Sequence, residues 1–185
     1  MTVAPSYRYS FFSSSGGPLF ATLKTLLPWQ QESLMMFGRP VKVPRQVAFV
    51  ADKGLCYRYT GKDHWGTGWP EVLLAIKAEA EHLAGQEFNC VLLNWYQDGH
   101  DYMGWHADDE AVLGPAPVVA MLSLGAPRDF LFRLKHAPKM KHKLLLETDS
   151  WLIMEAGTQT LWQHSLPVRK KVQEERMSLT FRLLL

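Results

Sequence analysis

Cysteine is scarce in this 185-residue chain: Cys56 and Cys90 are its two cysteines, and neither belongs to a CxxC pair. Two cysteines cannot build a disulfide framework or a four-cysteine metal site, so an apolar core must supply the stability, and no oxidising compartment is required. Long apolar runs are missing as well. Stretches such as VVAML at 118–122 fall far short of the roughly 20 residues that cross a bilayer. The start, MTVAPSYRYSFFSSSGG, lacks the basic opening and long apolar run of a secretory signal. The expectation is a bacterial cytoplasmic protein with no membrane association. Charge is balanced, 20 Lys and Arg against 18 Asp and Glu for a net +2, which by itself names no partner. There is no internal repeat, and no GxGxxG or P-loop pattern marks a phosphate cradle.

What is present is ordinary globular material, 47% hydrophobic and 21% charged, in a length that suits about one domain. The stretch SSSGGP at 13–18 separates an expected flexible tail, residues 1–18, from a domain over residues 19–185. LFATLKTL (19–26) reads as a short helix stopped by Pro28. Pro70 suits a first helical position, and Val72, Leu73, Ile76, Ala80 and Leu83 repeat at helical spacing before a stop at Gly85. Elsewhere the runs are short, rich in β-branched and aromatic residues, and cut by turn residues: SLMMF, QVAFV, LCYRYT, NCVLLNWY, VVAMLSLG, DFLFRLK, KLLLET, SWLIME and MSLTFRLLL. Nine strands and one or two helices predict a mainly β (α+β) sandwich or barrel with helices against one face. The C-terminal half shows no convincing helix, which argues against a parallel βαβ fold.

Chemistry concentrates in NWYQDGHDYMGWHADDE. Residues two apart on an extended chain point the same way, so His106 and Asp108 can converge, with His164 in TLWQHSLP as a third donor 58 residues after His106. Two imidazoles and one carboxylate on one face, with open positions opposite, form the ligand set of non-haem Fe(II) oxygenases. Asp109 and Glu110 compete with Asp108 as ligand, although Asp109 faces away from His106 on a regular strand. The remaining histidines, His64, His82, His100, His136 and His142, read as surface or loop residues. In RMSLTFR the arginines Arg176 and Arg182 are six apart and share a face with Thr180, while Leu179, Phe181 and Leu183 take the core parity. Two guanidinium forks and a hydroxyl on one face suit a dicarboxylate. Asn94 and Tyr96 form another same-face pair. Residues 128–143 carry six Lys/Arg against one Asp, and Arg169-Lys170-Lys171 follows Pro167. Both read either as solvated loops or as a stripe facing phosphates.

Taken together, His106-x-Asp108, His164, Asn94-x-Tyr96, the RMSLTFR ending and the blocks LSLGAPRDFLFR and HSLPVRKKV resemble the AlkB family of Fe(II)/2-oxoglutarate dioxygenases. The similarity runs from about Leu34 to Leu185, nearest to the branch of the second human AlkB homologue and its bacterial relatives. The resemblance implies a double-stranded β-helix (jelly-roll) core with one or two supporting helices, and Fe(II) held by His106, Asp108 and His164. It implies 2-oxoglutarate bound by Asn94, Tyr96, Arg176, Thr180 and Arg182, with O2 as second co-substrate. Ser178 stands where the family commonly has Asn. The implied reaction puts an oxygen atom into the N-alkyl group of a damaged base. The hydroxyalkyl product falls apart to repaired base and aldehyde, and 2-oxoglutarate leaves as succinate and CO2.

An enzyme of this kind must extrude its target base from a duplex. Met36-Phe37-Gly38-Arg39 reads as a hairpin tip able to insert an apolar wedge into the stack. Tyr57-Arg58-Tyr59 is similar to the segment lining the base pocket in such relatives, and Asp109 matches a base-contacting acid. Arg45 is expected to reach phosphate or the orphaned partner base, and Trp105 and Trp162 to exclude water. The reading is a monomeric repair enzyme for 1-methyladenine- and 3-methylcytosine-type lesions, with alkylated duplex DNA favoured over single strands. An oxygenase acting on RNA, protein or a small molecule is the alternative, and a non-catalytic nucleic-acid-binding module is the reading from another class.

Overall fold

All nine expected runs form strands in the computed structural model, which describes residues 4–36, 39–59 and 61–185, with the backbone alone at 34–36, 40 and 59. In chain order the elements are β1 (Tyr7–Phe11), α1 (Gly16–Leu26), β2 (Ser33–Met36), β3 (Arg39–Lys42), β4 (Gln46–Ala51), β5 (Cys56–Tyr59), β6 (Lys62–Trp65) and α2 (Glu71–Ala84). They continue as β7 (Cys90–Tyr96), β8 (Met103–His106), β9 (Val119–Gly125), β10 (Arg128–Leu134), β11 (Lys141–Leu146), β12 (Ser150–Met154), α3 (Thr158–Leu161), β13 (Trp162–Leu166) and β14 (Arg176–Arg182).

A six-stranded antiparallel sheet in the order β1-β12-β9-β14-β7-β4 faces a four-stranded one in the order β11-β10-β13-β8. From β7 onward the chain crosses from one sheet to the other at every connection except the β10–β11 hairpin. That winding is the double-stranded β-helix the resemblance implied. Two further hairpins, β2–β3 and β5–β6, stand apart from the main sheets.

Period-2 alternation sorts the large sheet into two faces. On β14, Met177, Leu179 and Phe181 point outward and join Leu19 and Leu23 of α1 and Leu73, Ile76 and Ala80 of α2 in one apolar layer. The opposite face of that sheet, with Val119, Met121, Leu152 and Met154, packs on Phe130, Phe132, Leu134 and Leu166 of the small sheet. The mouth of the sandwich opens beside this second layer. The end of α2 comes out as expected, with Gly85 in the left-handed region (φ 71°) closing the helix. Among the described residues no helix is long and apolar enough to cross a membrane.

Several expectations need correction. Residues 7–11 are not tail: β1 pairs along its length with β12, from Tyr7 opposite Met154 to Phe11 opposite Ser150. The helix expected over 19–26 begins at Gly16, whose N–H donates to Asp149 Oδ2 at 3.0 Å. The C-terminal half holds one short α-helix, α3, and a 3-10 turn at Ala111–Leu113. Leu183 lies beyond β14, and Leu184 is the one buried instead.

The basic segment is no continuous phosphate stripe. Arg128 is 1% exposed and donates to the carbonyls of Asp98, Asp101 and Pro167 at 2.8–3.1 Å. Lys143 and Arg169 both pair with Asp129. His64 is not a free surface residue either, since its Nε2 lies 3.2 Å from the buried Glu32 carboxylate.

Candidate functional site

The two histidines meet through strand register. β8 and β13 pair with His106 directly opposite His164, and their ring centroids lie 4.2 Å apart. Opposite residues of an antiparallel ladder share a face, so both imidazoles point at the same interior cleft. Asp108 lies in the loop just past β8 and is buried. Its Oδ1 accepts hydrogen bonds from Arg182 Nη2 at 2.7 Å and Nε at 3.2 Å. Its Oδ2 is buried with no hydrogen-bond partner, 3.8 Å from His164 Nε2 and so beyond hydrogen-bonding reach. His106 Nδ1 sits 2.9 Å from the Gly104 carbonyl. A carbonyl can only accept, so Nδ1 is the donor here, and in the neutral ring the lone pair is on Nε2.

Electrostatics reinforce this arrangement. Burial alone would raise the Asp108 pKa, but Arg182 first, then His164 and His106, hold it down at about 2. Burial, helped by His106, pushes His164 down to about 3 against the pull of Asp108. At neutral pH the cleft therefore presents a carboxylate and a neutral imidazole, the protonation states metal binding requires. Among the described residues no three His, Cys, Asp or Glu side chains close into a tight coordination shell. The donor chemistry nonetheless fits an ion of the iron type: two imidazoles and a carboxylate oxygen that is buried, ionised and unsatisfied.

The other end of the cleft is cationic. β14 pairs with β7 so that Arg176 lies opposite Tyr96 and Ser178 opposite Asn94. Even spacing then carries Thr180 and Arg182 onto the same face, and all six residues line the cleft. Arg176 is 1% exposed. Its Nη2 donates to Ser123 Oγ at 2.9 Å, its Nε is buried without a partner, and its guanidinium lies 5.3 Å from the Tyr96 ring centre. Burial pushes its pKa down to about 10, and no carboxylate is among the groups acting on it. A buried guanidinium with no counter-anion suits a carboxylate delivered from outside. Beyond the cleft opens a cavity of about 410 Å3, with His106, Asp108 and Arg182 on its wall and Arg45, Tyr102 and Glu110 around it.

The sequence matches the model of the 2OG-Fe(II) oxygenase superfamily over residues 14–182. The chain belongs to this superfamily. Its similarities lie in the AlkB branch. It is 38% identical to human "DNA oxidative demethylase ALKBH2" over 190 residues, covering 97% of this chain and 73% of that protein. The Arabidopsis thaliana protein of the same name is 34% identical, with 90% of this chain and 61% of that protein covered. Human "Alpha-ketoglutarate-dependent dioxygenase alkB homolog 3" is 34% identical, with 84% and 57% covered. The solved structure of OsALKBH1 superposes over 99% of both chains with a TM-score of 0.65 at 18% identity, which speaks for the fold.

In this AlkB-type oxygenase the fold brings together His106, Asp108 and His164 at one end and Asn94, Tyr96, Arg176, Thr180 and Arg182 along the cleft. The residues expected at the base pocket scatter more. Tyr57 is buried, with its hydroxyl donating to Glu110 Oε1 at 3.1 Å, so it backs the cavity through Glu110. Arg58 is turned to solvent beside Asp63, and Arg39 is exposed at the start of β3. Tyr59 ends β5, its side chain lying outside the described residues, as do Phe37 and Gly38 altogether. Asp109 points away from the cavity to an ion pair with Lys135 at 2.7 Å. Arg45, expected to reach phosphate or the orphaned partner base, is 5% exposed, donates from Nε to Asn94 Oδ1 at 2.7 Å and stands on the cavity wall. Trp105 lines the cavity under the Arg133 guanidinium, 4.4 Å from its ring centre, while Trp162 is core. Sequence reading missed Glu110 as a cavity residue and missed Gln159 entirely. A lone Gln in TQTLWQ carries no periodic or motif signal.

Proposed function

We infer that this oxygenase is an oxidative DNA demethylase, removing N-alkyl groups from bases of the 1-methyladenine and 3-methylcytosine type. One observation carries the reading: an unsatisfied Asp108 oxygen beside two facing imidazoles at one end of a cleft, an uncompensated Arg176 at the other, and a base-sized cavity opening from it. His106, Asp108 and His164 would hold Fe(II). Arg176 would take the distal carboxylate of 2-oxoglutarate, with Tyr96, Asn94 and Thr180 beside it. With O2, these two supply the oxidant that hydroxylates the N-methyl carbon, 2-oxoglutarate leaving as succinate and CO2 and the N-hydroxymethyl base shedding formaldehyde.

The chain's own residues do the rest. Arg182 fixes one oxygen of Asp108 and leaves the other for the ion. At about 410 Å3 the outer cavity falls in the range of roughly 300–1,000 Å3 common for small-molecule sites, enough for one extruded base. Glu110, held by Tyr57, puts a carboxylate in its wall. A cationic alkylated base gains from a carboxylate that a neutral, undamaged base uses less. The names of the ALKBH2 relatives support DNA as substrate.

Duplex preference is part of this proposal and rests on the β2–β3 hairpin, where Met36 pairs with Arg39; a monomeric state is proposed with it. Mass spectrometry of single-stranded and duplex oligonucleotides bearing one 3-methylcytosine, incubated with Fe(II), ascorbate and 2-oxoglutarate, tests the reading. Methyl loss that requires 2-oxoglutarate is expected from both. Succinate formation without methyl loss would move the substrate elsewhere. Phe37→Ala is expected to lower the rate on duplex about tenfold and spare single strands; equal loss on both would sink the wedge.

A further inference from the structure

The side chain that ties the cleft together is one no motif contains. Gln159 is 0% exposed and sits in α3, which runs directly into β13 and reaches His164 five residues later. Its Oε1 accepts the Asp108 backbone N–H at 3.0 Å, and its Nε2 lies 3.4 Å from the Met154 sulfur, itself on the cleft wall. Asp108 stands outside any strand, so no ladder holds its backbone. What holds it is Gln159 on the peptide and Arg182 on Oδ1, an arrangement that leaves Oδ2 as the unsatisfied atom. A glutamine suits the task because it offers an acceptor to a buried N–H without a second negative charge beside a carboxylate.

We propose that Gln159 is a positioning residue for the metal, coupling the Asp108 loop to the segment that sets His164, so that the two donors are delivered at one point. The proposal rests on the reading of His106, Asp108 and His164 as ligands. It deepens that reading by naming the group that fixes their mutual geometry. Groups that orient metal ligands from behind typically govern 10–100-fold in metal affinity.

The test is titration of the full chain with Mn(II), an air-stable probe for the ferrous ion, with free Mn(II) read by electron paramagnetic resonance. Gln159→Met keeps side-chain length and removes the acceptor, and should weaken Mn(II) binding 10–100-fold. Thr158→Ala is the control. Thr158 Oγ1 anchors the other side of α3 on the Ser6 carbonyl at 2.7 Å and does not touch Asp108. It should lower the thermal midpoint and leave Mn(II) affinity within twofold. If Gln159→Met fails to fold, Gln159→Asn, which withdraws the amide by one methylene, should weaken binding in the same direction by a smaller factor. Unchanged affinity in the Gln159 variants, or an equal loss in Thr158→Ala, overturns the positioning role while the ligand reading stands. A wild-type chain that binds no Mn(II) overturns both.

Discussion

At the scale of single residues, three buried charges define this site, and their situations differ. Asp108 and Arg182 pair through Oδ1, leaving Oδ2 unsatisfied; Arg176 has a serine hydroxyl and an aromatic face but no anion. Removing one partner of a buried pair strands the other. Asp108→Ala should therefore abolish Fe(II)-dependent turnover and also cost about 3–5 kcal/mol of stability, visible as a fall in the urea midpoint. Turnover that survives would refute the ligand assignment. Arg176→Met should separate the two effects. A charge-assisted contact to carboxylate is worth about 1.5–3 kcal/mol, so KM for 2-oxoglutarate should rise roughly 10–100-fold. The ligand-free variant should be as stable as wild type or more so, because a buried unpaired cation has been replaced by an apolar chain. A drop in stability with unchanged KM would place the co-substrate carboxylate elsewhere.

At the scale of elements, β8 and β13 decide where the imidazoles sit, and their pairing builds in acid sensitivity. His164, held near 3 by burial and by His106, stays unprotonated in the native state while the unfolded chain takes up a proton below about 6.5. Stability from this depressed pKa is therefore complete above about 6.5 and lost as pH falls. Asp108, held near 2 from its usual 3.8, adds a further loss only below about 4. The metal-free chain should lose about 1.4 kcal/mol per pH unit between roughly 6 and 4, a slope that His164→Asn should flatten. A urea midpoint flat from pH 8 to 4 would contradict it. Neither strand was legible as one. MGWH is short and holds a glycine, WQHSL mixes polarities, and each gains its ladder only from its neighbours in the small sheet. β1 was hidden in the same way beside SSSGGP, its strand character coming from β12.

At the scale of the whole molecule, the double-stranded β-helix holds its cleft between two sheets and stabilises the back of the large one with α1 and α2. On the proposed assignment the metal and co-substrate residues come from β7, β8 and the loop after it, β13 and β14, so binding is linked to the global fold. Saturation with Mn(II) and 2-oxoglutarate at about 100 times their dissociation constants should add about 2.7 kcal/mol each. In a chain of this size that raises the melting midpoint by about 5–10 °C per ligand. The 2-oxoglutarate increment should vanish in Arg176→Met, and an increment that persists there would mean binding outside the cleft. Charge follows the fold too: Arg128, Lys143 and Arg169 look alike in the sequence, yet one is a buried clamp on three carbonyls and two share Asp129.

The sequence by itself determined what depends on near neighbours along the chain. Period-2 geometry put Arg176, Ser178, Thr180 and Arg182 on one face of β14 and Asn94 with Tyr96 on one face of β7, and a proline before and a glycine after bounded α2. Only the tertiary structure decided what depends on distant segments meeting. His106 faces His164 because β8 and β13 share a register; Asp108 is ionised because Arg182 arrives 74 residues later; Asp109 turns outward because Lys135 lies outside. Arg45 and Tyr57 are buried in hydrogen bonds with Asn94 and Glu110, partners that the sequence does not name. The physical reason is common to all of these. Direction along a strand is set by local covalent geometry, whereas burial, and with it the sign and size of every electrostatic effect, is set by what the fold packs opposite.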